Sequence, residues 1–507
     1  MESRTLNSKR NIIAGVLGNF INPVFGLLVN SAVVRCFSVE YIGLIGTFNA
    51  ILQILNLAEL GFSTSMIVNL YKPIKENDVA AVRGILASYR YVYRIIGLII
   101  LTAGIIICPF LKTMFKDIAE IRENVYILYI LFLTNKAFNF MLFAHKEALL
   151  NAAQRIDVIH VINIIIYIAR SSLQLIAITV FKNIYLYVIF LMLSNVAYYI
   201  CIEILSRKKF PQYYPEGKIG DATIKKVKTQ VAGLTISNIL GVSRDSLNSI
   251  LITSFLGLHI AGKYSNYCMI YDAVIAFFLV TTKAIQSSIG NSIVSESVEK
   301  NLKNLTKMEF LHNIVIIACT VYMLCLYQTF MKFWMGENLL FPNPVMILFV
   351  LYFYVRAMAE VRNAYFSALG LWWKAKWLFT IEAVVVILLM TILGKNVGVV
   401  GILLAPIISV LAVNYIGCTN LLFREYFRTG VREYYTNRLI YTVITLIISA
   451  IAYYICNLLP YEGLPGLFVR LLICTFILAV LIPVMMILLK REYMKESVGF
   501  IKQIFRA

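Results

Sequence analysis

Residues 10–73 read RNIIAGVLGNFINPVFGLLVNSAVVRCFSVEYIGLIGTFNAILQILNLAELGFSTSMIVNLYKP and contain two apolar runs, at 12–34 and 42–69. A helix needs about 20 predominantly apolar residues to cross the hydrocarbon core of a bilayer, and both runs are that long. The second run contains an acid, Glu59, with no basic residue three or four positions away along the helix. The stretch therefore predicts membrane-spanning helices and raises the question of why one of them carries a carboxylate.

The same apolar pattern continues to the end of the chain. Of the 507 residues, 60% are hydrophobic and 14% charged, with a mean hydropathy of +0.80, which is far more apolar than a soluble domain. The sequence predicts an all-α integral membrane protein with about 14 transmembrane helices. The expected spans are 12–34, 42–69, 93–111, 125–145, 158–181, 184–205, 230–256, 265–290, 310–331, 344–370, 377–394, 397–422, 439–459 and 467–489.

The charge balance predicts the orientation. Lys and Arg number 46 against 26 Asp and Glu, a surplus that in a soluble chain would suggest nucleic acid. In a membrane protein such a surplus belongs in cytoplasmic loops that face anionic lipid. With the N-terminus inside, 31 of the basic residues fall in inner segments and 8 in outer ones. We therefore expect a multi-pass protein of the cytoplasmic membrane with both termini inside, in contact with membrane lipid and with no nucleic acid.

The longest polar break, at 206–230, contains two Pro and two Gly and indicates a linker between two six-helix halves. After the last predicted span, apolar residues at helical spacing alternate with Lys and Arg, which favours an amphipathic helix on the inner leaflet. The predicted organisation is a six-helix lobe at 1–206, a cytoplasmic linker at 207–229, a second six-helix lobe at 230–437, two additional transmembrane helices at 438–489 and a cytoplasmic amphipathic tail at 490–507.

A weak internal repeat supports the two halves. The segment FSVEYIGLIGTFNAI begins at Phe37, between the first two spans, and LGLHIAGKYSNYCMI begins at position 256, between the seventh and eighth. Both place a glycine six residues in, Gly43 and Gly262, followed by an aromatic residue, Phe48 and Tyr267. Equivalent positions in two six-span units are what a parallel repeat predicts.

Residues typical of enzymes, metal sites and cofactor sites are not arranged in the patterns those sites need. The nine Cys and four His are scattered, without a C-x-x-C pair or two His at ligand spacing, so we expect reduced packing cysteines, no metal and no cofactor. The chain also has no G-x-x-x-x-G-K-[ST], G-x-S-x-G or H-E-x-x-H motif, and every predicted outer loop is short. These features disfavour an enzyme.

Basic residues inside the predicted spans are the most informative feature. A charge at bilayer depth costs at least about 2.5–3.5 kcal/mol on insertion scales, so it should face protein or water. Two interpretations remain open: interhelical ion pairs with the intramembrane acids, or a basic cavity between the halves that binds an anion. Six bases stand against five acids, and Glu382 is one of the five. The residues predicted to bind an anionic headgroup are Lys136, Arg170, Arg244, Lys283 and Arg356, and the sixth base is Arg362.

The intramembrane acids have two interpretations of their own. Glu59 could be a neutral carboxyl that hydrogen-bonds between helices, or a proton or sodium site that couples transport to an ion gradient. The sequence leaves these alternatives equal. The acids that are candidates for ion coupling are Glu59, Asp245, Asp272 and Glu360.

The opening stretch, most specifically AELG at 58–61 followed by LYKP at 70–73, resembles the start of bacterial Wzx-type oligosaccharide flippases, relatives of the multidrug-and-toxin exporters. The resemblance implies two six-helix bundles related by a pseudo-two-fold axis, two further C-terminal helices and a central cationic cavity. It also implies the substrate, an oligosaccharide on undecaprenyl pyrophosphate, moved to the outer leaflet of the bacterial inner membrane for O-antigen or capsule. Other polysaccharide assembly proteins are the partners it suggests.

Two alternatives remain beside the flippase. A cation-coupled multidrug exporter of the same superfamily would share the fold, although a surplus of buried positive charge suits a cationic drug poorly. A membrane polysaccharide polymerase or ligase would need a large outer loop to hold its substrates. The sequence does not identify the glycan or the coupling ion, H⁺ or Na⁺.

Overall fold

The computed structural model describes residues 4–56, 59, 62–115, 118–142, 144–217, 246–459 and 461–506. Within these ranges the side chains of 4–17, 19–20, 64, 119, 144, 280–281, 283–288 and 488–506 are not described. All regular secondary structure in the described residues is helical, and nine of their helices are long and apolar enough to cross a membrane. The predicted all-α, multi-pass membrane fold is confirmed.

The first compact unit spans Met1–Met269. The helices of this unit are α1 (Arg4–Cys36), α2 (Val39–Leu55), α3 (Phe62–Glu76), α4 (Val79–Ile107), α5 (Val125–Met141), α6 (Ala144–Ala152), α7 (Ile156–Thr179), α8 (Ile184–Lys209) and α9 (Ser246–Leu256). Helix α1 packs along α7, and α5 packs on both α4 and α8. Short turns at Cys108–Phe110, Leu111–Met114 and Ile118–Glu120 lie between α4 and α5.

The second unit spans Ile270–Ala507, and the boundary between the units falls inside α10 (Leu258–Ser295). Its further helices are α11 (Val298–Met335), α12 (Asn343–Ala357), α13 (Glu360–Ala368), α14 (Lys376–Val397), α15 (Val399–Ser409), α16 (Ile416–Leu422), α17 (Arg432–Asn457) and α18 (Gly463–Arg506), with a 3₁₀ turn at Glu337–Leu339 and π-helical segments at Val410–Tyr415 and Phe423–Phe427. In this unit α11 packs on α12, α17 and α18. The predicted lobes with a linker at 207–229 divide the chain differently and remain a prediction, since 218–245 lie outside the described residues.

Several predicted spans are broken helices. The span expected at 42–69 is two helices, α2 and α3, with Glu59 between them. The span expected at 125–145 becomes α5 and α6, bent by 50°. The span expected at 344–370 is interrupted between α12 and α13. A continuous apolar run does not reveal a break, because hydropathy measures side chains and not the backbone path. At a broken span, backbone groups without helical hydrogen bonds lie beside polar side chains at membrane depth.

Other helices are longer than their predicted spans. Both α10 and α11 contain 38 residues, about 57 Å at 1.5 Å per residue, whereas the hydrocarbon core is about 30 Å thick. Both therefore extend well beyond the bilayer. At the end of the chain, α18 continues without a break from Gly463 through Arg506. The tail predicted at 490–507 is thus helical as expected as far as 506, but continuous with the last span. Its placement on the membrane surface stays a prediction.

Two glycines from the predicted repeat bring helices of the first unit into close contact. A Cβ added to Gly43 on α2 would overlap the carbonyl oxygen of Leu258 and lie 2.8 Å from the backbone nitrogen of Gly262. A Cβ added to Gly262 on α10 would overlap the carbonyl oxygen of Val39. Gly43 lies four residues after Val39, and Gly262 lies four residues after Leu258. The contact is therefore reciprocal, since the glycine of each helix lies against a carbonyl of the other. The pseudo-two-fold relation of the two halves stays a prediction.

Candidate functional site

A group of three charged side chains lies at the two helix breaks of the first unit. Glu59 occupies the break between α2 and α3, Lys136 is on α5, and Glu147 is on α6, just after the second break. All three are partly buried. The Lys136 ammonium and the Glu147 carboxylate each interact electrostatically with the Glu59 carboxylate. We call these three residues the charge cluster.

Backbone hydrogen bonds fix Glu59 in its break. Its amide donates to the Asn56 carbonyl over 3.0 Å, and its carbonyl accepts from the Phe62 amide, the first residue of α3, over 2.9 Å. The side-chain amide of Asn56 lies 3.5 Å from Glu59 Oε2. The turn therefore holds the carboxylate where the regular hydrogen-bond ladder of the helix is interrupted.

Tyrosines surround the charge cluster. The Tyr198 hydroxyl donates to Glu147, and buried Tyr93 interacts with both carboxylates. Lys136 Nζ lies 5.9 Å from the ring centroid of Phe140, which stacks on Tyr93 at 6.2 Å. Lys136 and Glu147 thus both lie beside Glu59, among aromatic rings. One ammonium and two carboxylates leave one negative charge, which a bound proton or sodium ion would neutralise.

Arg170, in the middle of α7, lies in a different environment. Its guanidinium carbon is 4.3 Å from the ring centroid of Tyr167, whose hydroxyl donates to the Asn22 carbonyl on α1 over 3.0 Å. No carboxylate pairs with Arg170 in the part of the chain that the structure describes. Its buried Nε has no hydrogen-bond partner there, and neither do Asn22 Oδ1 and Asn266 Nδ2.

These polar groups belong to one strip. A Cβ at Gly26 on α1 would lie 3.4 Å from the Tyr167 hydroxyl and 2.5 Å from the terminal methyl of Met269. Asn30, one turn along α1, is 3.5 Å from Asn266 Oδ1 and 3.4 Å from Met269 Sδ. We define the Arg170 strip as Asn22, Asn30, Tyr167, Arg170 and Asn266. It combines a cation with several amides, a donor-rich set suited to phosphate and sugar oxygens.

The predicted residues of the second unit lie at another helix break. Arg356, at the end of α12, donates to the Tyr271 hydroxyl over 3.4 Å and lies 5.7 Å from the Tyr352 ring. Those two rings are stacked at 5.4 Å with an interplanar angle of 9°. Glu360 begins α13 across the break and interacts electrostatically with Arg356, while Asp272 is exposed on α10. The structure therefore groups Arg356 with Glu360 and two tyrosines.

The side chains of three predicted residues lie outside the part of the chain that the structure describes. Arg244 and Asp245 lie outside the described residues. Lys283 is on α10, and its side chain is not described.

Arg362, the sixth intramembrane base, is a structural residue. It is fully buried, and its guanidinium donates to the carbonyls of Asn414 and Tyr415 over 2.9 and 3.0 Å. These carbonyls belong to the π-helical segment Val410–Tyr415, where the regular ladder is interrupted. Arg362 also donates to Asn414 Oδ1 over 2.8 Å, and the Asn414 amide donates to Glu382 over 2.9 Å. The side chain thus donates to backbone carbonyls of the π-helical segment and links it to Glu382 through Asn414.

An ion pair that the sequence did not reveal lies in the second unit. Arg438 on α17 donates to Glu309 on α11, and the Tyr434 hydroxyl donates to the same carboxylate over 2.8 Å. Both charged side chains are buried, although Arg438 lies just before the predicted span at 439–459. The extended length of α11 and α17 carries both residues into the packed interface. A cavity of about 580 Å³ opens beside the pair and is also lined by Glu299 and Lys303.

Comparisons with known proteins identify the fold. No family model matches the chain, and no curated protein matches its sequence. Among solved structures, lipid II flippase MurJ in an inward closed conformation matches with a TM-score of 0.65 and 15% identity over 94% of this chain and 99% of that one. An inward-facing multidrug resistance MATE family transporter of the MOP superfamily matches with a TM-score of 0.63 and 14% identity over 80% of this chain and 94% of that one. The outward-facing conformation of such a transporter matches with a TM-score of 0.59 and 14% identity over 83% of this chain and 95% of that one. The chain thus has a MATE- and MurJ-like fold.

Proposed function

We propose that this protein is a flippase that moves oligosaccharides linked to undecaprenyl pyrophosphate from the cytoplasmic to the outer leaflet of the bacterial inner membrane. The fold is shared with a lipid II flippase and with multidrug exporters, which supports alternating access around a central cavity. The residues quoted for the Wzx-type resemblance support the surface-polysaccharide substrate. Both termini would then face the cytoplasm, where polysaccharide assembly proteins supply the cargo.

The observation that carries the proposal is the Arg170 strip. A guanidinium in the middle of a predicted span, without a carboxylate partner in the described residues, is costly to keep unless something anionic visits it. A pyrophosphate has oxygens that match a guanidinium and neighbouring amide donors. Arg170 is therefore proposed to bind the anionic headgroup.

The other predicted cations are further candidates for binding the anionic headgroup. Arg356, with its tyrosine neighbours in the second unit, is proposed as a second contact for the headgroup, together with Arg244 and Lys283. Lys136 differs from them, because Glu59 already offsets its charge. We propose that Lys136 receives the headgroup only when a carboxylate of the charge cluster takes up an ion.

A multidrug exporter is the second candidate, favoured by the MATE neighbours. The acidic side chains of the charge cluster would then bind a cationic drug directly. Arg170 argues against this alternative, because an unpaired guanidinium repels cations. The polymerase or ligase alternative has no supporting observation among the described residues.

The test is leaflet sidedness of a labelled undecaprenyl-pyrophosphate oligosaccharide in proteoliposomes. We expect the intact protein to flip the lipid, and Arg170→Ala to lower the rate at least about tenfold. A charge-assisted hydrogen bond contributes roughly 1.5–3 kcal/mol, and 1.4 kcal/mol corresponds to tenfold. Arg170→Lys should retain part of the rate. The matched control is Lys75→Ala, which removes a basic charge from an exposed position at the end of α3.

Three outcomes separate the candidates. Flipping that depends on Arg170 but not on Lys75 supports the flippase. Flipping unaffected by Arg170→Ala overturns the assignment of the headgroup site. A folded protein that flips none of several glycans, yet moves a cationic dye, supports the exporter.

A further inference from the structure

Three cysteines far apart in sequence meet inside the second unit. Cys325 lies on α11, Cys456 on α17 and Cys474 on α18, and all three are buried. Their sulfur atoms lie within 4.8 Å of one another, and the Cys456 and Cys474 sulfurs are 3.8 Å apart. We call these residues the thiol triad. It is the only such group of potential metal ligands among the described residues.

The triad lies in the apolar seam that fastens α17 and α18 to α11. The buried neighbours in this seam include Val321, Ala452 and Leu478. A buried thiol in such surroundings can serve simply as a small apolar packing group. Three thiols converging from three helices, however, offer a ligand set that apolar packing does not require.

Arg470 adds a second, independent feature. It lies on α18, one turn before Cys474, and donates to the Cys325 carbonyl over 3.4 Å and to Asn457 Oδ1 over 3.3 Å. Its charge interacts with Cys456 and Cys474, and its buried Nε has no hydrogen-bond partner in the described part of the chain. Arg470 lies inside the predicted span at 467–489, and its side chain turns inward to the Cys325 carbonyl. A guanidinium at this place would offset negative charge on thiolates.

We propose that Cys325, Cys456 and Cys474 form a three-coordinate site for a soft, thiol-binding metal cation, with Cu(I) as the ion. With a metal–sulfur bond of about 2.3 Å, three sulfurs around one ion lie about 4 Å apart, close to the spacing of the triad. Thiolates select Cu(I) over hard cations such as Mg²⁺ or Ca²⁺. A structural zinc site would need a fourth protein ligand, and the described residues place no other Cys, His, Asp or Glu in this group.

Binding would fasten α17 and α18 to α11. Each thiol that becomes a thiolate ligand releases its proton to solvent, and the ion joins three helices at one point. Because the folded seam holds three thiols at one point and an unfolded chain does not, the ion would bind the folded state more tightly and stabilise it. The role proposed here is structural and does not depend on the transport function.

The experiment uses the purified full-length protein under reducing conditions. Cu(I) is titrated against a colorimetric Cu(I) chelator, and Ag(I), which is inert to oxidation, serves as a second probe. We expect one ion per chain in the high-affinity site and a rise in Tm on binding. Cys474→Ser should weaken binding at least tenfold and abolish the Tm shift. Cys319→Ser, which replaces another buried cysteine of α11, is the matched control and should change neither.

A second pair of variants tests Arg470. Arg470→Gln removes the positive charge and should weaken Cu(I) binding. Arg470→Lys keeps the charge without the guanidinium geometry, so its affinity should lie between those of Arg470→Gln and the wild type. X-ray absorption on the wild-type protein should show three sulfurs at about 2.3 Å, a result that does not depend on whether a variant folds. Stoichiometric binding that survives replacement of all three cysteines overturns the proposal. So does mass spectrometry that finds Cys456 and Cys474 joined as a disulfide in protein isolated without oxidant.

Discussion

Glu40 and His259 occupy equivalent positions in the repeat and contact each other, with Glu40 Oε1 2.6 Å from His259 Nδ1. Each lies three residues before the glycine of its own segment, Gly43 or Gly262. The hydrogen bond therefore joins α2 to α10 beside the glycine contact. One turn further along α2, Thr47 Oγ1 lies 2.6 Å from Thr253 Oγ1 on α9, and both threonines are buried. Helix α2 thus contacts α10 through a hydrogen bond and a glycine contact, and contacts α9 through the two threonines.

Replacement of His259 should destabilise this crossing because Glu40 is buried. We expect His259→Ala to lower the free energy of unfolding by about 0.5–1.5 kcal/mol, the net contribution of one hydrogen bond, because Glu40 keeps its contact with Ser38. His259→Gln keeps a donor and should lose less than half as much. Thermal unfolding in detergent measures both variants. Equal losses in the two variants would show that the hydrogen bond to Glu40 contributes nothing.

The reciprocal glycine contact makes a second prediction. Gly43→Ala and Gly262→Ala each place a methyl group against a backbone carbonyl, which cannot move aside as a flexible side chain can. We expect each to cost about 1–3 kcal/mol, the usual range for overpacking. Gly430→Ala is the control, since a Cβ there meets nothing within 4 Å. A Tm for Gly43→Ala as high as that of the control would contradict the close approach of α2 and α10.

The buried ion pair of Glu309 and Arg438 makes a third prediction. Removing one partner leaves an uncompensated buried charge, so Glu309→Met alone or Arg438→Met alone should cost about 3–5 kcal/mol. The double variant removes both charges and should be more stable than either single one, although it leaves the Tyr434 hydroxyl without its acceptor. A double variant as unstable as the sum of the two singles would show that the charges are not coupled. Chemical unfolding of purified protein in detergent gives all three values.

The sequence predicted the helical membrane fold because apolar run length is a local property. It also singled out Gly43 and Gly262, which lie at a close backbone contact that leaves no space for a Cβ. It missed the helix breaks, because a run judged apolar on average does not record the path of the backbone.

Long-range partners were also beyond a reading of one sequence. Glu309 and Arg438 are 129 residues apart, and the thiol triad joins three separate helices. Spacing along the chain carries no signal for such contacts, and they follow only from the packing of α11 against α17 and α18. Glu147 was overlooked for a related reason: at the end of a predicted span it resembled a loop residue, while the bend after α5 brings it to Glu59.

The charge cluster makes the final prediction and addresses why Glu59 lies inside an apolar run. Glu59 interacts with both Lys136 and Glu147, so ion uptake by Glu59 would change the net charge around Lys136. We expect Glu59→Gln to abolish the dependence of flipping on an imposed proton or sodium gradient while passive flipping continues, since glutamine is isosteric but does not ionise. Glu147→Gln should weaken the same dependence. Glu76→Gln makes the same change at an exposed position at the end of α3 and should leave it intact. If the Glu59 variant keeps its full response to both gradients but loses Tm, its carboxyl is a structural hydrogen-bonding group, and the ion must bind elsewhere.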